Sequence, residues 1–442
     1  MSTSSKQSSS PLTRPHLSRR GFQIALGGAL ISAAAFARLG NATNPDVVII
    51  GAGAAGIAAA HQCAKDGLSF VMVEAKGRVG GRAFTETDTF GVPYDHGAHW
   101  VQSENRNSYF KRAKQSGLDF YRARDQFTIF GESGRATSAE EDQLWTAWAQ
   151  AEAGLDAAGA SGRDISAADA SRAVGDWANT AEFAMGPWEM GKDFEDFSAL
   201  DWWESAGSTD WYCKEGYGTL VAAHAANIPV SLNTPVRKID WSGRGVTVET
   251  DAGTISARAA IITVSTGVLA GEGIAFNPPL PVRKQESFNG ISMGDYNHVT
   301  LQFSEDVFGA GIDGYVLHKV DQSREGFGGL TNASGLGLAY CDVGGQFALD
   351  LENAGEAESI DFVLGKLRSL IGSDVDKYFV KGSSTAWTTD PFVRGCYASA
   401  RPGAYPMREV LREPIGDRLF FAGEACHEDL WATVGGADRS GT

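Results

Sequence analysis

Three glycines followed by an acid, near the start of the chain, could together bind the phosphates and ribose of a dinucleotide. Gly51, Gly53 and Gly56 come directly after the apolar run 47–50, and Glu74 ends the next apolar run. At this spacing the first glycine permits a tight turn, the second lets bare backbone approach a pyrophosphate, and the third lets a helix pack closely on a strand. The acid lies where a carboxylate can accept hydrogen bonds from a ribose. The pattern predicts a strand, a turn, a helix and a second strand that bind a dinucleotide.

The residues after the acid indicate which dinucleotide binds. Positions 74–82 read Glu-Ala-Lys-Gly-Arg-Val-Gly-Gly-Arg, with Gly80 and Gly81 paired before Arg82. Paired glycines permit a second close approach of the backbone, and an arginine can donate two parallel hydrogen bonds to phosphate oxygens. The run resembles the flavin-binding signature of the FAD-dependent amine oxidase superfamily. The resemblance implies FAD as the cofactor; the alternative is an ordinary surface loop rich in glycine and arginine.

Composition and charge limit the classes of partner. The chain has 442 residues, of which 43% are hydrophobic, and a formal net charge of −16. That length is enough for a large core in about two or three domains. The acidity argues against nucleic acid as a partner and favours the approach of cationic substrates by diffusion. Solubility alone explains the same acidity equally well.

An export signal is predicted at the start of the chain. Positions 18–22 read Ser-Arg-Arg-Gly-Phe, and the apolar stretch 24–37 follows. This arrangement resembles a twin-arginine signal peptide over residues 1–42, recognised by the export machinery that carries folded proteins. The stretch is short and interrupted by glycines, so a stable membrane span is the weaker interpretation. The expected location is periplasmic or secreted.

The positions of the flavin-like elements predict an α/β fold in which separated segments form one domain. A Rossmann-like FAD-binding domain is expected from 45–100, 215–275 and 385–442. An interleaved α+β substrate-binding domain is expected from 101–214 and 276–384. Because ligands commonly bind in clefts between domains, the cofactor and the substrate are expected to meet there.

Hydrophobic periodicity predicts further helices. Apolar residues recur at helical spacing in 138–155, where Ser138 and Glu141 are expected to form a capping box. The segment 166–190 is a second helical candidate, and the amphipathic segment 356–371 is a third.

The resemblance to amine oxidases extends over almost the whole chain after residue 45. The Ala-Thr-Val of 432–434 favours the polyamine oxidase and lysine-demethylase branch, because monoamine oxidases place a tyrosine there. The resemblance implies that the following residues bind FAD: Gly51, Gly53, Ala54, Ala55, Gly56, Glu74, Ala75, Gly81, Arg82, Gly97, Ala98, His99, Val236, Trp387, Cys396, Gly423, Glu424, Thr433 and Val434.

The resemblance also implies the chemistry. The flavin takes a hydride at N5 from the carbon beside a neutral primary or secondary amine, polyamine-like in this branch. The imine product hydrolyses to an aldehyde and an amine, and hydrogen peroxide forms if oxygen is the electron acceptor. The protein must bind and orient the amine and exclude water. No metal cluster is needed, and none is visible in the sequence.

Three residues are candidates for catalysis: His298, Tyr397 and Trp100. The family has a lysine at the position of His298, where it holds a water near flavin N5. An imidazole could still hold that water and exchange protons. The fixed positive charge would be lost, which puts fast reduction of oxygen in doubt; a hydrogen-bonded strand histidine without a role is the alternative. Tyr397 is expected to wall an aromatic slot or only to cover the flavin, and Trp100 is expected near the flavin.

Cys396 admits two interpretations. The matching cysteine of monoamine oxidases bonds covalently to the flavin, whereas polyamine oxidases and demethylases have serine or threonine there. A covalent link and a buried inert thiol therefore both stay open. Four tryptophans, Trp188, Trp202, Trp203 and Trp211, crowd one span, and one or two of them are expected to wall a substrate cavity.

Other functions remain open at this point. An amine dehydrogenase would use another electron acceptor in place of oxygen. An L-amino-acid oxidase would need an arginine in the cavity to hold the substrate carboxylate. A non-catalytic flavin-binding protein would keep the cofactor site without turnover.

Overall fold

The structure is a computed structural model that describes residues 44–124, 126–207, 209–322 and 324–442. The predicted export signal lies outside the described residues. In the described part of the chain, no helix is long and apolar enough to cross a membrane.

Helices occur along the whole described chain, and most are short. In chain order they are α1 (Ala54–Lys65), α2 (Ser108–Ser116), α3 (Ser138–Ala160), α4 (Ala167–Ala170), α5 (Ala178–Phe183), α6 (Ala199–Glu204), α7 (Tyr217–Ala225), α8 (Thr266–Ala270), α9 (Val282–Gly290), α10 (Gly345–Ala354), α11 (Glu356–Ile371), α12 (Val375–Tyr378), α13 (Met407–Arg412) and α14 (Val434–Ser440). A π-helical turn, Ala184–Trp188, continues α5, and 3₁₀ turns cover Ala333–Gly335 and Glu424–Cys426.

The strands alternate with these helices. In chain order they are β1 (Val47–Ile50), β2 (Phe70–Val73), β3 (Thr85–Glu86), β4 (Tyr94–Asp95), β5 (Phe120–Arg122), β6 (Phe127–Phe130), β7 (Trp211–Cys213), β8 (Val230–Ser231), β9 (Val236–Asp240), β10 (Val246–Thr250), β11 (Gly253–Ala257), β12 (Ala259–Ile262), β13 (Ala275–Asn277), β14 (Ile291–Met293), β15 (Tyr296–Phe303), β16 (Gly314–His318), β17 (Gly328–Thr331), β18 (Leu338–Gly344), β19 (Phe379–Ser384), β20 (Ala398–Ala400) and β21 (Leu419–Phe421).

A parallel sheet holds the glycine motif. Its strands lie in the order β21-β12-β1-β2-β8, and β1 pairs in parallel with both β12 and β2. All four residues of β1 are buried, as expected for a central strand covered on both faces. The chain turns sharply at Gly51, which has a φ of +105°, and enters α1. A Cβ on Gly56 would lie 2.0 Å from the Gly51 carbonyl oxygen, so this glycine allows the close packing that the motif predicted.

A second, mostly antiparallel sheet has the strand order β19-β15-β18-β17-β16-β6. The residues of β15 and β18 face each other in antiparallel register, and His298 lies opposite Asp342. Apolar residues of β15 and of α11 share one buried cluster, which includes Leu301 and Leu367. The strands of the parallel sheet and those of this sheet come from different segments of the chain. The domain boundaries given above stay a proposal.

The helix predictions are partly confirmed. The helix at Glu356–Ile371 is confirmed. The capping box of α3 is formed by Thr137 and Glu140, so the prediction of Ser138 and Glu141 was one residue too late.

The prediction of one helix over 166–190 was wrong. That segment holds α4, α5 and the π-helical turn, which contains Pro187. Between α4 and α5 the chain passes through Gly175, whose φ of +93° lies outside the right-handed helical region. Proline and a left-handed glycine both break a regular ladder of helical hydrogen bonds.

One buried ion pair joins α6 to α13. The Arg408 guanidinium donates through Nη2 to both carboxylate oxygens of Asp201, at 2.7 and 2.6 Å, and through Nη1 to the Ala425 carbonyl. Asp201 also accepts a hydrogen bond from the backbone N–H of Ala400 in β20. Asp201 is fully buried and Arg408 is 3% exposed, so neither charge has water as an alternative partner. The pair also supports the Trp431 ring, whose centroid lies 5.1 Å from the guanidinium carbon.

We predict that Asp201→Ala lowers the free energy of unfolding by about 3–5 kcal/mol, because it leaves the Arg408 charge buried without its partner. Denaturant unfolding of the variant and the parent protein measures the loss. The control is Asp251→Ala, which breaks the exposed Arg237–Asp251 pair and should leave the unfolding midpoint unchanged. Equal effects of the two substitutions would contradict the assignment of Asp201 as a structural ion-pair partner.

Candidate active site

A cavity of about 610 Å³ opens at the carboxyl end of β1 and extends to the second sheet. Gly53 at the start of α1 lines one part of it, and His298 of β15 lines another. Both sheets therefore contribute to one cavity. This is the usual place for a ligand beside an open parallel sheet.

The backbone of two glycines forms the wall beside α1. Gly53 is the N-cap of α1, and its backbone is extended. A Cβ on Gly53 would have the Gly81 Cα, 3.9 Å away, as its nearest heavy atom, so both glycines present bare backbone there. Ala54 and Ala55 of the first turn of α1 also line the cavity. A helix N-terminus that lines a cavity beside a glycine wall fits a pyrophosphate, because N–H groups and the helix dipole both favour an anion.

Seventeen of the residues predicted from the sequence line this one cavity. They are Gly53, Ala54, Ala55, Gly81, Arg82, Gly97, Ala98, His99, Trp100, His298, Trp387, Cys396, Tyr397, Gly423, Glu424, Thr433 and Val434. They come from distant parts of the chain, which supports a shared binding function.

The other predicted cofactor residues, Gly51, Gly56, Glu74, Ala75 and Val236, do not line it. Gly51 and Gly56 serve the packing of α1 on β1, and Val236 belongs to the apolar core. The Glu74 carboxylate accepts hydrogen bonds from the backbone N–H groups of Ala52 and Lys76, both at 2.8 Å. Its contact with a ribose, like that of Val236 with adenine, stays a prediction.

Arg82 and Glu424 form a pair in the cavity wall. Arg82 Nη1 donates to Glu424 Oε1 at 2.9 Å and to the Cys396 carbonyl oxygen at 2.6 Å. Glu424 also accepts from the backbone N–H groups of Ala398 and Ala432. The pair thus fixes the relative positions of three separate segments. A contact between Arg82 and phosphate, and one between Glu424 and the cofactor's sugar-phosphate arm, stay predictions.

Aromatic side chains form much of the remaining wall. Of the four tryptophans singled out in the sequence, Trp188 and Trp202 line the cavity, whereas Trp203 and Trp211 do not. The wall also includes Phe127, Trp148, Tyr296, Tyr315, Phe392 and Trp431. Such a wall is apolar, and the faces of its rings can attract a cation.

Trp100 and Tyr397 are both held by hydrogen bonds at the wall. The Trp100 indole N–H donates to the hydroxyl oxygens of Tyr212 and Tyr315, at 3.2 and 3.0 Å. The Tyr397 hydroxyl donates to the Glu189 carbonyl oxygen at 2.8 Å. The two predicted catalytic aromatics are therefore fixed in place and are best described as walls.

Two buried ring nitrogens point to a polar ligand. His99 Nδ1 lies 3.0 Å from Asp95 Oδ2, while His99 Nε2 has no hydrogen-bond partner among the described residues. The indole nitrogen of Trp431 is likewise buried without a partner in the described part of the chain. Both residues line the cavity, and an unpaired buried polar group is costly. A bound molecule with hydrogen-bonding groups, as flavin has, would satisfy them.

His298 is held differently from the sequence expectation. Its Nδ1 lies 2.5 Å from Asp342 Oδ1, and its Nε2 lies 2.9 Å from the Gly97 carbonyl oxygen. Both ring nitrogens are thus engaged by protein, and the role of this histidine beside a water stays a prediction. Burial alone would lower the pKa of His298, but the facing Asp342 carboxylate outweighs it and holds that pKa above its ordinary value.

Cys396 lines the cavity and is buried. Burial raises the pKa of its thiol far above the ordinary value, so the thiolate that a covalent link needs is disfavoured. A Cβ on Gly191 would lie 2.8 Å from the Cys396 sulfur, so the sulfur packs against bare backbone. This environment favours the buried thiol of the two interpretations.

Sequence reasoning missed two acidic residues of this site, Glu189 and Asp342. Glu189 follows the π-helical turn and lines the cavity, where burial raises the pKa of its carboxyl to about 7, with the Asp210 and Glu152 charges adding to the shift. No motif marks it. Asp342 is a fully buried acid in the otherwise apolar strand β18, and that exception was a signal the sequence offered.

Comparison with known proteins identifies a family whose cofactor fits this cavity. A family model described as flavin-containing amine oxidoreductase matches residues 54–442. The chain is 29% identical over 436 residues to lysine-specific histone demethylase 1 homolog 1 of Oryza sativa subsp. japonica, covering 90% of this chain but 51% of that protein. The chain thus spans about half the length of that demethylase.

Two further relatives are covered more completely. Polyamine oxidase 5 of Oryza sativa subsp. japonica is 28% identical, with 91% of this chain and 87% of that protein covered. A structure of putrescine oxidase bound to putrescine has a TM-score of 0.74 at 23% identity and covers 90% of this chain and 97% of that one, which shows a shared fold. FAD is accordingly the cofactor, and the residues of the cavity fit it.

We predict that Gly53→Val weakens FAD binding by about tenfold or more, because a branched side chain would occupy the bare wall where the pyrophosphate approaches. The extended backbone of Gly53 accepts a side chain, so the fold should persist in circular dichroism. The measurement is the ratio of flavin to protein and the dissociation constant after removal and return of FAD.

Gly365→Ala is the matched control, because a Cβ there would meet open space on α11. It should retain FAD fully. A Gly53→Val protein that purifies with stoichiometric FAD would show that the cofactor does not approach this backbone.

Proposed function

This chain belongs to the flavin-containing amine oxidoreductase family, and on that premise we propose that it oxidises small, polyamine-like primary or secondary amines. Bound FAD supplies the two-electron oxidation of the carbon beside the amine, and the resulting imine hydrolyses to an aldehyde and an amine. Hydrogen peroxide forms if oxygen takes the electrons. The protein's part is to hold the amine beside the cofactor, to exclude water and to select the substrate.

The observation that carries the proposal is the position of Glu189 among aromatic residues in the cavity that the cofactor wall also lines. Trp188, Tyr397 and Trp202 line the same cavity as Glu189. Rings stabilise a cation or an alkyl chain, and a carboxylate stabilises an ammonium group. This combination suits an amine that carries a second positive charge at a distance from the reacting nitrogen.

The charge of Glu189 depends on pH in the physiological range. Because the pKa of its carboxyl is raised to about 7, the group is largely neutral below that pH and anionic above it. The binding of a diammonium substrate should therefore strengthen as the pH rises through about 7.

The cavity does not suit an amino acid. Of the described residues that line it, Arg82 is the only arginine, and its guanidinium is engaged by Glu424 and by the Cys396 carbonyl. A substrate carboxylate would also meet the negative charge of Glu189. These contacts support an amine over an L-amino acid as the substrate.

Location and electron acceptor complete the proposal. We propose export through the twin-arginine route, supported by the Arg19-Arg20 pair and the apolar stretch behind it. Oxygen or another electron acceptor re-oxidises the flavin.

We predict that putrescine or a longer polyamine bleaches the yellow protein in the absence of air, because electrons pass from the amine to FAD and have no further acceptor. The measurement is the loss of flavin absorbance in an anaerobic cuvette, followed by the readmission of air. A monoamine, an L-amino acid and a methyl-lysine peptide are the comparison ligands. A protein that stays oxidised with every amine would be a flavin-binding protein without this activity, and slow recovery in air would indicate a dehydrogenase.

We predict that Glu189→Gln raises the KM for putrescine by about tenfold or more, because a charge-assisted contact is lost, and changes kcat little. The KM of the parent protein should fall as the pH rises through about 7, and that dependence should vanish in the variant. Steady-state kinetics from about pH 6 to 8 provide both results.

The control for this experiment is Glu286→Gln, which removes an equal charge from an exposed position of α9. It should leave KM and its pH dependence unchanged. Parallel changes in both variants would mean that general acidity, and not Glu189, attracts the substrate.

A further inference from the structure

We propose that Asp342, acting through His298, is a positioning residue that keeps this imidazole doubly protonated, so that the ring clasps the Gly97 carbonyl in the wall of the cofactor cavity. The inference depends on the proposed function only in the measurements that use bound flavin. It concerns two residues on neighbouring strands and one backbone carbonyl.

With Asp342 ionised, the hydrogen-bond geometry favours the doubly protonated ring. His298 and Asp342 face each other across β15 and β18, at 3% and 0% exposure. One ring nitrogen faces the Asp342 carboxylate at 2.5 Å, and the other faces the Gly97 carbonyl oxygen at 2.9 Å. A carboxylate and a carbonyl only accept hydrogen bonds, and a neutral imidazole has one N–H group. Only the doubly protonated ring donates to both.

The groups around the ring favour this state. The rings of Tyr296 and Tyr340 meet the His298 ring edge-on, with centroids 5.6 and 5.1 Å away. Burial raises the pKa of both tyrosines well above the ordinary value, so both stay neutral. Asp95 adds a second favourable negative charge, while burial lowers the pKa of the nearby His96 and disfavours a competing cation.

Asp342 is itself fixed by its surroundings. Its second oxygen lies 3.4 Å from the indole nitrogen of Trp188, which donates to it and lines the cavity. The carboxylate therefore has two defined partners and no exposure to solvent. A buried charge of this kind needs the opposite charge of His298 beside it.

The segment at Gly97 that His298 contacts is also closely packed against other residues. A Cβ on Gly97 would lie 2.2 Å from the Arg82 carbonyl oxygen and 3.2 Å from the Trp387 ring. The Ala98 N–H donates to that same Arg82 carbonyl. Gly97, Ala98 and the two residues after them all line the cavity. Through its hydrogen bond to Gly97, the charged ring links this wall to β15. It also places a positive group at the cavity surface, with the Asp342 carboxylate on the other side of the ring.

The sign of the pH dependence follows. The pKa of His298 is held above its ordinary value, so the clasp is complete below the ordinary histidine pKa and is lost as the pH rises through the raised pKa. Removal of the Asp342 charge removes the largest cause of the raised His298 pKa. The ring should then lose its second proton at a lower pH, and one of its two hydrogen bonds should disappear.

The test is Asp342→Asn in the FAD-loaded protein, because asparagine keeps the shape and an acceptor oxygen but not the charge. Histidine labelled with ¹⁵N shows by NMR whether each ring is charged, and a His298→Gln sample identifies the signal. The His298 ring should lose its charge at a pH above the ordinary histidine pKa in the parent protein, and at a distinctly lower pH in the Asp342→Asn variant. The variant should also bind FAD about tenfold more weakly, with a lower flavin reduction potential.

Two further variants complete the design. Asp342→Glu should restore the charged ring and most of the FAD affinity, and Asp361→Asn, an exposed site on α11, should change neither. A parent ring that loses its charge at or below the ordinary histidine pKa, or a ring whose titration does not move to lower pH in Asp342→Asn, would overturn the proposal. If Asp342→Asn does not fold, NMR titration of the parent ring still decides between the two states. A charged ring in a protein that no amine reduces would leave this inference standing and remove the proposed function.

Discussion

The close packing of α1 on the end of β1 determines where the rest of the site lies. Gly56 lies so near the Gly51 carbonyl that any side chain there would overlap it, and this contact aims the first turn of α1 at the cavity. Gly53 and Gly81 form a wall of bare backbone because α1 begins directly after Gly53. The loop that carries Gly81 lies beside Gly53, and its Arg82 in turn contacts Gly97 and Glu424.

Two further segments bring titratable groups to the cavity. Strand β15 of the second sheet brings His298, and Glu189 follows the π-helical turn and lines the same cavity. A π-helical turn re-aims the residues that follow it, which explains how an acid leaves an otherwise apolar segment and enters the cavity. The glycine wall beside α1 and these two titratable groups thus lie in one cavity.

The sequence predicted what depends on local spacing. The glycine turn, the start of α1 and the helix at Glu356–Ile371 follow from residues a few positions apart, and the structure has them. The failure at 166–190 has a local cause as well, since Gly175 and Pro187 were present to interrupt the helix. Glu189 and Asp342 could not be assigned in this way, because their roles depend on contacts between distant segments.

The pair at 298 and 342 illustrates that limit. A lysine at 298 would carry its charge at neutral pH without help, because its ordinary pKa is high. A buried histidine keeps a charge only if a carboxylate offsets the cost of burial, and here Asp342 lies directly opposite it in the register of β15 and β18. On our proposal, His298 and its strand partner Asp342 together place a positive group at this position, which His298 alone would not. The chemistry of this position is therefore a property of the sheet that brings the two residues together.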